Sequence, residues 1–384
     1  MARPLRSART GADAAQADAA QADTIRVIAG RLGGQREQLA RRVVDTSCRE
    51  IVDYRTPPDP HLLDEEFIAA FATLWVIDGQ ARAAAAAPQG QLTTGSYTNG
   101  SGTLSYELYI PSTYRPGTAV PMVVALHGCT ETADVYRQLS GWDKLAEAKG
   151  FIVLFPQQSS SRNNQSCWNW FLQADMQRGA GEPSIIAGMV SSVEQKDSVD
   201  SHRVYVAGFS AGGAMATVMA ATYPDMFAAV GVGSGCEYNG LPCVGSPGPD
   251  ATQTGQAAYK AMGTHARVMP AIVFQGDADN IVAPANAPLI VHEWQVTDDY
   301  ADDGALNGSI PTSPTKTSGG SVTGGRSYTV TSYGDGHGKD LIDYWVVHGM
   351  NHAWSGGSSS EPYADPSGPN ETAAMYSFFV NDPA

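Results

Sequence analysis

The stretch that decides the fold reads Val204-Tyr205-Val206-Ala207-Gly208-Phe209-Ser210-Ala211-Gly212-Gly213-Ala214-Met215. Its β-prone start runs straight into Gly-x-Ser-x-Gly, and a small-residue helical pattern follows through Ala214, Ala216, Ala220 and Ala221. Strand, tight turn and helix in that order are the context of a nucleophile elbow. Such a turn strains the backbone of Ser210 and lifts its oxygen to the top of a sheet. Gly208 and Gly212 flank it because a Cβ at either position would collide where strand and helix pack closely. Ser210 is the candidate nucleophile, and the amide of Ala211 is a candidate donor to the oxyanion that an attack would create.

On either side of the elbow the chain alternates between strands and helices. A half-exposed alternation covers 104–110, and a buried apolar run over 121–126 ends in His127-Gly128-Cys129. A helical pattern over 133–149 leads to a second buried run at 151–156, and a helix near 184–195 leads into the elbow strand. Beyond the elbow helix come a strand at 227–232, a Gly/Pro/Cys loop at 233–250 and a strand at 271–274. A last strand at 342–348 and a helix at 371–380 follow. Continuous apolar strands separated by helices predict a mostly parallel sheet covered on both faces. The fold class is α/β, with the architecture of an α/β-hydrolase.

A serine hydroxyl is a poor nucleophile at neutral pH, so a histidine must take its proton and an acid must orient that histidine. In this architecture the order is Ser, acid, His, with both partners on loops after later strands. Asp277 and Asp279 compete within Gly276-Asp277-Ala278-Asp279-Asn280-Ile281-Val282. The Gly-x-x-Asp-x-x-Val spacing favours Asp279, and Asp277 reads as an acid that shapes the loop through its own backbone. His348 and His352 compete as base. His348 ends an apolar strand, whereas His352 lies in the loop just beyond, within Gly349-Met350-Asn351-His352-Ala353-Trp354. His337, between glycines, reads as an exposed hairpin residue. His127-Gly128-Cys129 occupies the strand end where a second oxyanion donor belongs.

The 384 residues hold one large domain and something smaller, and 42% hydrophobic with 16% charged residues is a globular balance. A net charge of −15 argues against nucleic acid or an anionic membrane as partner. No apolar run approaches the roughly 20 residues of a membrane span. The histidines are scattered, with no H-E-x-x-H and no Gly-rich phosphate loop after a strand, so neither metal nor cofactor is expected.

Residues 1–23 repeat Ala-Asp-Ala-Ala-Gln at 12–16 and 17–21 and read as a low-complexity tail. A helical N-terminal region is expected over 24–86, interrupted at Pro57-Pro58-Asp59-Pro60, then a linker at 87–94 and the catalytic domain at 95–384. Residues 1–86 carry 11 Arg and no Lys against 12 acids, so nearly all the negative charge falls on the remainder. The apolar 67–77 followed by alanines resembles a signal h-region. It follows Asp64-Glu65-Glu66 and lies far from Met1, against the ordinary pattern.

Several blocks in one order resemble the polyhydroxybutyrate depolymerase family of esterases, which includes feruloyl and acetylxylan esterases. They are His127-Gly128-Cys129-Thr130, Cys167-Trp168-Asn169-Trp170-Phe171, Gly208 to Met215, Tyr223-Pro224-Asp225-Met226-Phe227-Ala228-Ala229, and His352-Ala353-Trp354-Ser355-Gly356-Gly357. The resemblance spans about 95–380 and implies Ser210, Asp279 and His352 as triad, with the backbone of Cys129 and Ala211 as oxyanion hole. It also frames the cysteines: Cys129 with Cys167, and Cys236 with Cys243, are the expected pairs among three possible pairings, leaving Cys48 single. Their placement implies an oxidising, secreted or extracytoplasmic setting. Trp168, Trp170 and Trp354, with His127, are candidates for the substrate wall, each tryptophan being equally readable as core. The expected function is a serine esterase acting through an acyl-enzyme. Because the chain stops soon after its last helix, hydroxyalkanoate oligomers or small esters are expected as substrates. Plant cell-wall feruloyl or acetyl esters are the alternative, and a catalytically silent binding module is the remote one.

Overall fold

A computed structural model describes residues 90–381. The tail, the helical region and the first three residues of the expected linker lie outside the described residues. The fold lies within the unit Pro88–Ala384. It is built on a ten-stranded sheet. The strands are β1 (Gln91–Asn99), β2 (Gly102–Ile110), β3 (Val120–Leu126), β4 (Ile152–Gln157), β5 (Val199–Phe209), β6 (Ala229–Gly233), β7 (Ala271–Gly276), β8 (Lys316–Ser321), β9 (Ser327–Gly334) and β10 (Asp340–Val347). Their spatial order is β1-β2-β4-β3-β5-β6-β7-β10-β9-β8. From β4 to β10 every neighbouring pair is parallel. The pairs at either end are antiparallel.

Seven helices of the described residues cover the two faces. They are α1 (Ala133–Ser140), α2 (Trp142–Lys149), α3 (Gly181–Lys196), α4 (Ala211–Thr222), α5 (Ala251–Met262), α6 (Asn286–Asp303) and α7 (Glu371–Asn381). Alternate side chains of each central strand enter different cores. Met122, Val124 and Leu126 of β3 pack with residues of α3, α4, α5 and α6. Val123 and Ala125 pack with α1, α2 and α7. The same split divides Val204 and Val206 from Tyr205, Ala207 and Phe209 in β5. A strand buried on both sides has no polar face to show, which is why these stretches read as unbroken apolar runs.

The chain steps outward from β3 to β4 and then returns across β3 to β5. The strand order therefore reverses between β3 and β5, where an open parallel sheet leaves a crevice at its carboxyl ends. Leu126 and Gly208 are register partners at that edge. The turn carrying Ser210 and the His127 loop thus emerge side by side. Farther along the same rim, Gly276 of β7 is opposite Val347 of β10, so the acid and histidine loops also start level.

Several elements differ from the reading of the sequence. The helix expected over 133–149 is two helices, broken at Gly141 with φ 67°. The linker expected through 94 gives way at Gln91 to β1, whose Thr and Ser residues pair with β2 in a hairpin and bury no continuous apolar stripe. The exposed hairpin partner β8, Lys-Thr-Ser-Gly-Gly-Ser, and the helices α5 and α6 add further elements.

The elbow depends on backbone meeting backbone. A Cβ on Gly212 would lie 2.0 Å from the Leu126 carbonyl oxygen, and one on Gly208 would lie 2.2 Å from the Gly212 carbonyl oxygen. Neither obstacle is a side chain that can swing away. Gly212→Ala is accordingly expected to lower stability by about 3 kcal/mol or more, the upper end of overpacking costs. Thermal unfolding of the variant checks this, and a melting temperature equal to the parent's would contradict the close approach.

Candidate active site

Ser210 sits at φ 55°, ψ −120°, a conformation rarely open to a residue with a side chain. Two bonds hold it there: its N–H donates to the Gly233 carbonyl at 2.8 Å, and its carbonyl accepts from Ala214 N at 3.0 Å. Ala211 begins α4, so its N–H has no carbonyl within the helix to meet and stays available above the turn. The helix N-terminus adds positive potential in the same place.

The imidazole of His352 is held from two directions. Its Nδ1 lies 2.8 Å from Asp279 Oδ2, in a pair almost wholly shielded from water. Its ring lies 4.8 Å from that of Phe209, the residue before the serine. Asp279 has its other demands met by Gln275 Nε2 at 2.9 Å and by the amides of Ile281 and Val282 at 2.9 and 3.0 Å. Burial works against its ionisation, but the His352 bond and charge and the two amides outweigh it and hold the carboxyl below the usual range. An ionised Asp279 keeps the proton on Nδ1 and leaves Nε2 free to accept one. The competing pair of the sequence also meet each other: His348 Nδ1 lies 2.8 Å from Asp277 Oδ2, at the surface. His337 is exposed in the turn between β9 and β10.

Cys129 lies across from the elbow in the loop after β3. The Gly128 amide before it donates to Glu131 Oε2 at 2.7 Å, and the Thr130 amide after it donates to the Gln165 carbonyl at 2.6 Å. With both neighbours committed, the Cys129 amide is the one in this run without an acceptor among the described residues. It joins Ser210, Ala211 and His352 around a cavity of about 260 Å³, together with Trp170, Phe209, Val244, Ile281, Val282 and Tyr363.

The loop is braced from behind by groups that the sequence had placed at the substrate. His127 is fully buried and does not line the cavity. Its Nδ1 meets the Gly128 carbonyl at 2.7 Å and its Nε2 accepts the Gln158 amide at 3.0 Å, which together require the neutral Nδ1–H tautomer. Burial drives its pKa down to about 4, although the carbonyl favours the proton. Trp168 is likewise fully buried, its indole N–H donating to the His127 carbonyl at 3.0 Å. Trp354 belongs to the other core, its N–H donating to Thr372 Oγ1 at 2.9 Å. Of the four wall candidates only Trp170 reaches the cavity; for the other three the indole or imidazole partners point to packing instead. Cys129 is bonded to Cys167, and Cys236 to Cys243.

Tyr363, Val244, Ile281 and Gln165 line the cavity from irregular loops and carry no periodic signal in the sequence. Val244 is tied to the acid loop by a bridge to Val282, and the Gly245 amide donates to the Ile281 carbonyl at 2.9 Å.

Residues 104–308 match the family described as Esterase PHB depolymerase. The chain belongs to this esterase family. Within its curated relatives, the chain is 38% identical to poly(3-hydroxyalkanoate) depolymerase C of Paucimonas lemoignei, over 65% of this chain and 58% of that one. It is 41% identical to acetylxylan esterase A of Talaromyces purpureogenus over 39% of each. This chain therefore spans between two-fifths and three-fifths of the length of these relatives. Among solved structures, an acetyl xylan esterase from Aspergillus awamori superposes with a TM-score of 0.56 at 26% identity, covering 68% of this chain and 94% of that one. The α/β-hydrolase fold of the esterase family is thus the fold of this chain.

Two outcomes follow for the brace of the Cys129 loop. His127 has a folded pKa of about 4 against 6.5 unfolded, so the unfolded chain binds the extra proton between these values. Its contribution is complete above pH 6.5 and is lost as pH falls toward 4, by about 3 kcal/mol. Buried Glu131, raised by desolvation to about 7, works with the opposite sign, losing stability as pH rises from 4.5. The His127 term is therefore read as the difference between parent and His127→Asn across pH 4 to 7, which should shrink toward the acid end. Breaking Cys129–Cys167, which closes 38 residues, should cost about 4 kcal/mol by loop entropy. A Cys167→Ser variant with the parent's melting temperature would rule that out.

Proposed function

We propose that this chain is an extracytoplasmic serine esterase that hydrolyses carboxylic esters through an acyl-enzyme. The observation that carries the reading is the buried Asp279–His352 contact of 2.8 Å on the rim of the same cavity as the strained Ser210. Ser210 Oγ attacks the ester carbonyl while its proton passes to His352 Nε2, and Asp279 stabilises the imidazolium so formed. The negative charge moves to the carbonyl oxygen, where the amides of Ala211 and Cys129 receive it, each donor being worth about 3 kcal/mol. Collapse expels the alcohol, which takes the proton from His352. Water then attacks the acyl-serine by the same route, releasing the acid and restoring Ser210.

The cavity favours a small, apolar acyl group. At about 260 Å³ it is below the size of pockets for drug-sized ligands. Its mouth is formed by Val244 and Ile281, both exposed to solvent, with Tyr363 beside them. An aliphatic hydroxyalkanoate oligomer matches that mouth better than a carbohydrate does, so short hydroxyalkanoate esters are the proposed substrates. The similarity to acetylxylan esterases makes an acetyl ester the second reading. Two disulfides fit secretion, because such bonds persist where the surroundings are oxidising.

Ser210→Ala should abolish hydrolysis of p-nitrophenyl butyrate while leaving the melting temperature intact. Asp279→Asn should lower kcat by about 10⁴ through the wrong imidazole tautomer. Substantial turnover by the Ser210 variant would place the nucleophile elsewhere. Comparing hydroxybutyrate trimers, acetylated xylan and methyl ferulate as substrates separates the readings: preference for the xylan or the ferulate would displace the hydroxyalkanoate assignment.

A further inference from the structure

The acid loop and the histidine loop have to meet within hydrogen-bond distance, yet they leave different strands. Their common framework ends where Gly276 faces Val347. Past that point the backbones stay in touch: Asp277 N donates to the Val347 carbonyl at 3.3 Å, and Ala278 N to the Met350 carbonyl at 3.1 Å. There is no room for slack, since a Cβ on Gly276 would lie 2.2 Å from the Met350 carbonyl oxygen.

Asp277 closes this gap with its side chain. Oδ1 accepts the Gly349 amide at 2.6 Å, at a turn where Gly349 has φ 72°, and Oδ2 meets His348 Nδ1 at 2.8 Å. The other ring nitrogen of His348 lies 2.9 Å from Thr329 Oγ1 on β9. The His348 amide donates to the Ser327 carbonyl on the same side at 2.9 Å. A chain of contacts therefore runs from β9 through His348 to Asp277, crossing from the histidine loop to the acid loop. It stands between the end of the strand ladder and the Asp279–His352 contact, two residues from one partner and four from the other.

We propose that Asp277 and His348 form a clasp that fixes the two loops against each other, making both of them positioning residues for the Asp279–His352 contact. The proposal rests on the triad reading given above. It deepens that reading by giving a task to the aspartate and histidine that compete with the triad in the sequence. Neither touches the cavity, so neither is a catalytic residue. The clasp is open to solvent, with side-chain exposures of 41% for His348 and 43% for Asp277. A pair this exposed adds little to global stability, whereas a small misplacement of catalytic groups is costly in rate. Asp277 is nevertheless held in its charged form. Partial burial opposes ionisation, but the His348 bond and the Gly349 amide prevail and keep the carboxyl below its ordinary range.

The test uses the full chain and p-nitrophenyl butyrate, with Asp277→Ala, His348→Ala, the double variant and His348→Asn. Each of the first two should lose roughly tenfold in kcat, a fraction of what a 1 Å misplacement costs, with KM and melting temperature unchanged. The double variant should be no worse than Asp277→Ala alone, which has already lost the contact with His348. His348→Asn, whose amide can still donate to Asp277, should keep most of the parent's kcat. Parental kcat in Asp277→Ala, or a loss appearing in KM or in melting temperature, would overturn the clasp. Ser210→Ala and Asp279→Asn run alongside: turnover in those two would bring down the triad reading itself, while their silence beside a fully active Asp277→Ala would bring down the clasp alone.

Discussion

Everything at the carboxyl rim of the sheet depends on how closely the start of α4 approaches the end of β3. The Leu126 carbonyl lies where a β-carbon of residue 212 would have to be, and only glycine permits it. That approach brings the helix N-terminus, the strained serine and the His127 loop to the point where the strand order reverses. Because the sheet is parallel through β10, the later loops emerge along the same rim, and their register determines which side chains can meet. The site therefore follows from strand order and register before any side-chain chemistry is considered.

Behind the reactive groups lies a polar scaffold in which nearly every partner is buried. Glu182, fully buried in α3, accepts the Asn169 amide at 2.7 Å and also the side chains of Asn169 and Gln158. Gln158 in turn presents its own amide to His127, and His127 grips Gly128. The disulfide adds a covalent tie between the same two segments. Buried hydrogen bonds of this kind strengthen in a low dielectric but are costly when left half-made, so the scaffold holds the Cys129 loop as one unit.

Much of this was legible in the residues because the decisive signals are local. The elbow is one strand, one turn and one helix in sequence, and the central strands betray double-sided burial by lacking polar positions. The Gly276-to-Asp279 spacing singled out the acid that the structure sets against His352. What escaped was decided by distant partners. Helix α6 buries Glu293, Asp298 and Asp299, whose carboxylates take amides of Tyr238, Met269 and Ile310, so its apolar period is broken on the very face that packs. Trp168 and Trp354 stand beside catalytic motifs, but each indole N–H finds its acceptor in the core. The exposed strands β1 and β8 have too little apolar content to register as strands until their neighbours are known.

The outermost strand β8 carries a consequence beyond the site. Among the described residues β8 ends the ten-stranded sheet, and its outer backbone groups meet no further strand, an invitation for another chain to add itself. Here that margin is six residues long, opens with Lys316, includes Gly319 and Gly320, and shows almost every side chain to water. Such an edge offers a docking strand neither hydrophobic grip nor a rigid template. Copies of the chain are by this means kept from pairing edge to edge into β-rich aggregates.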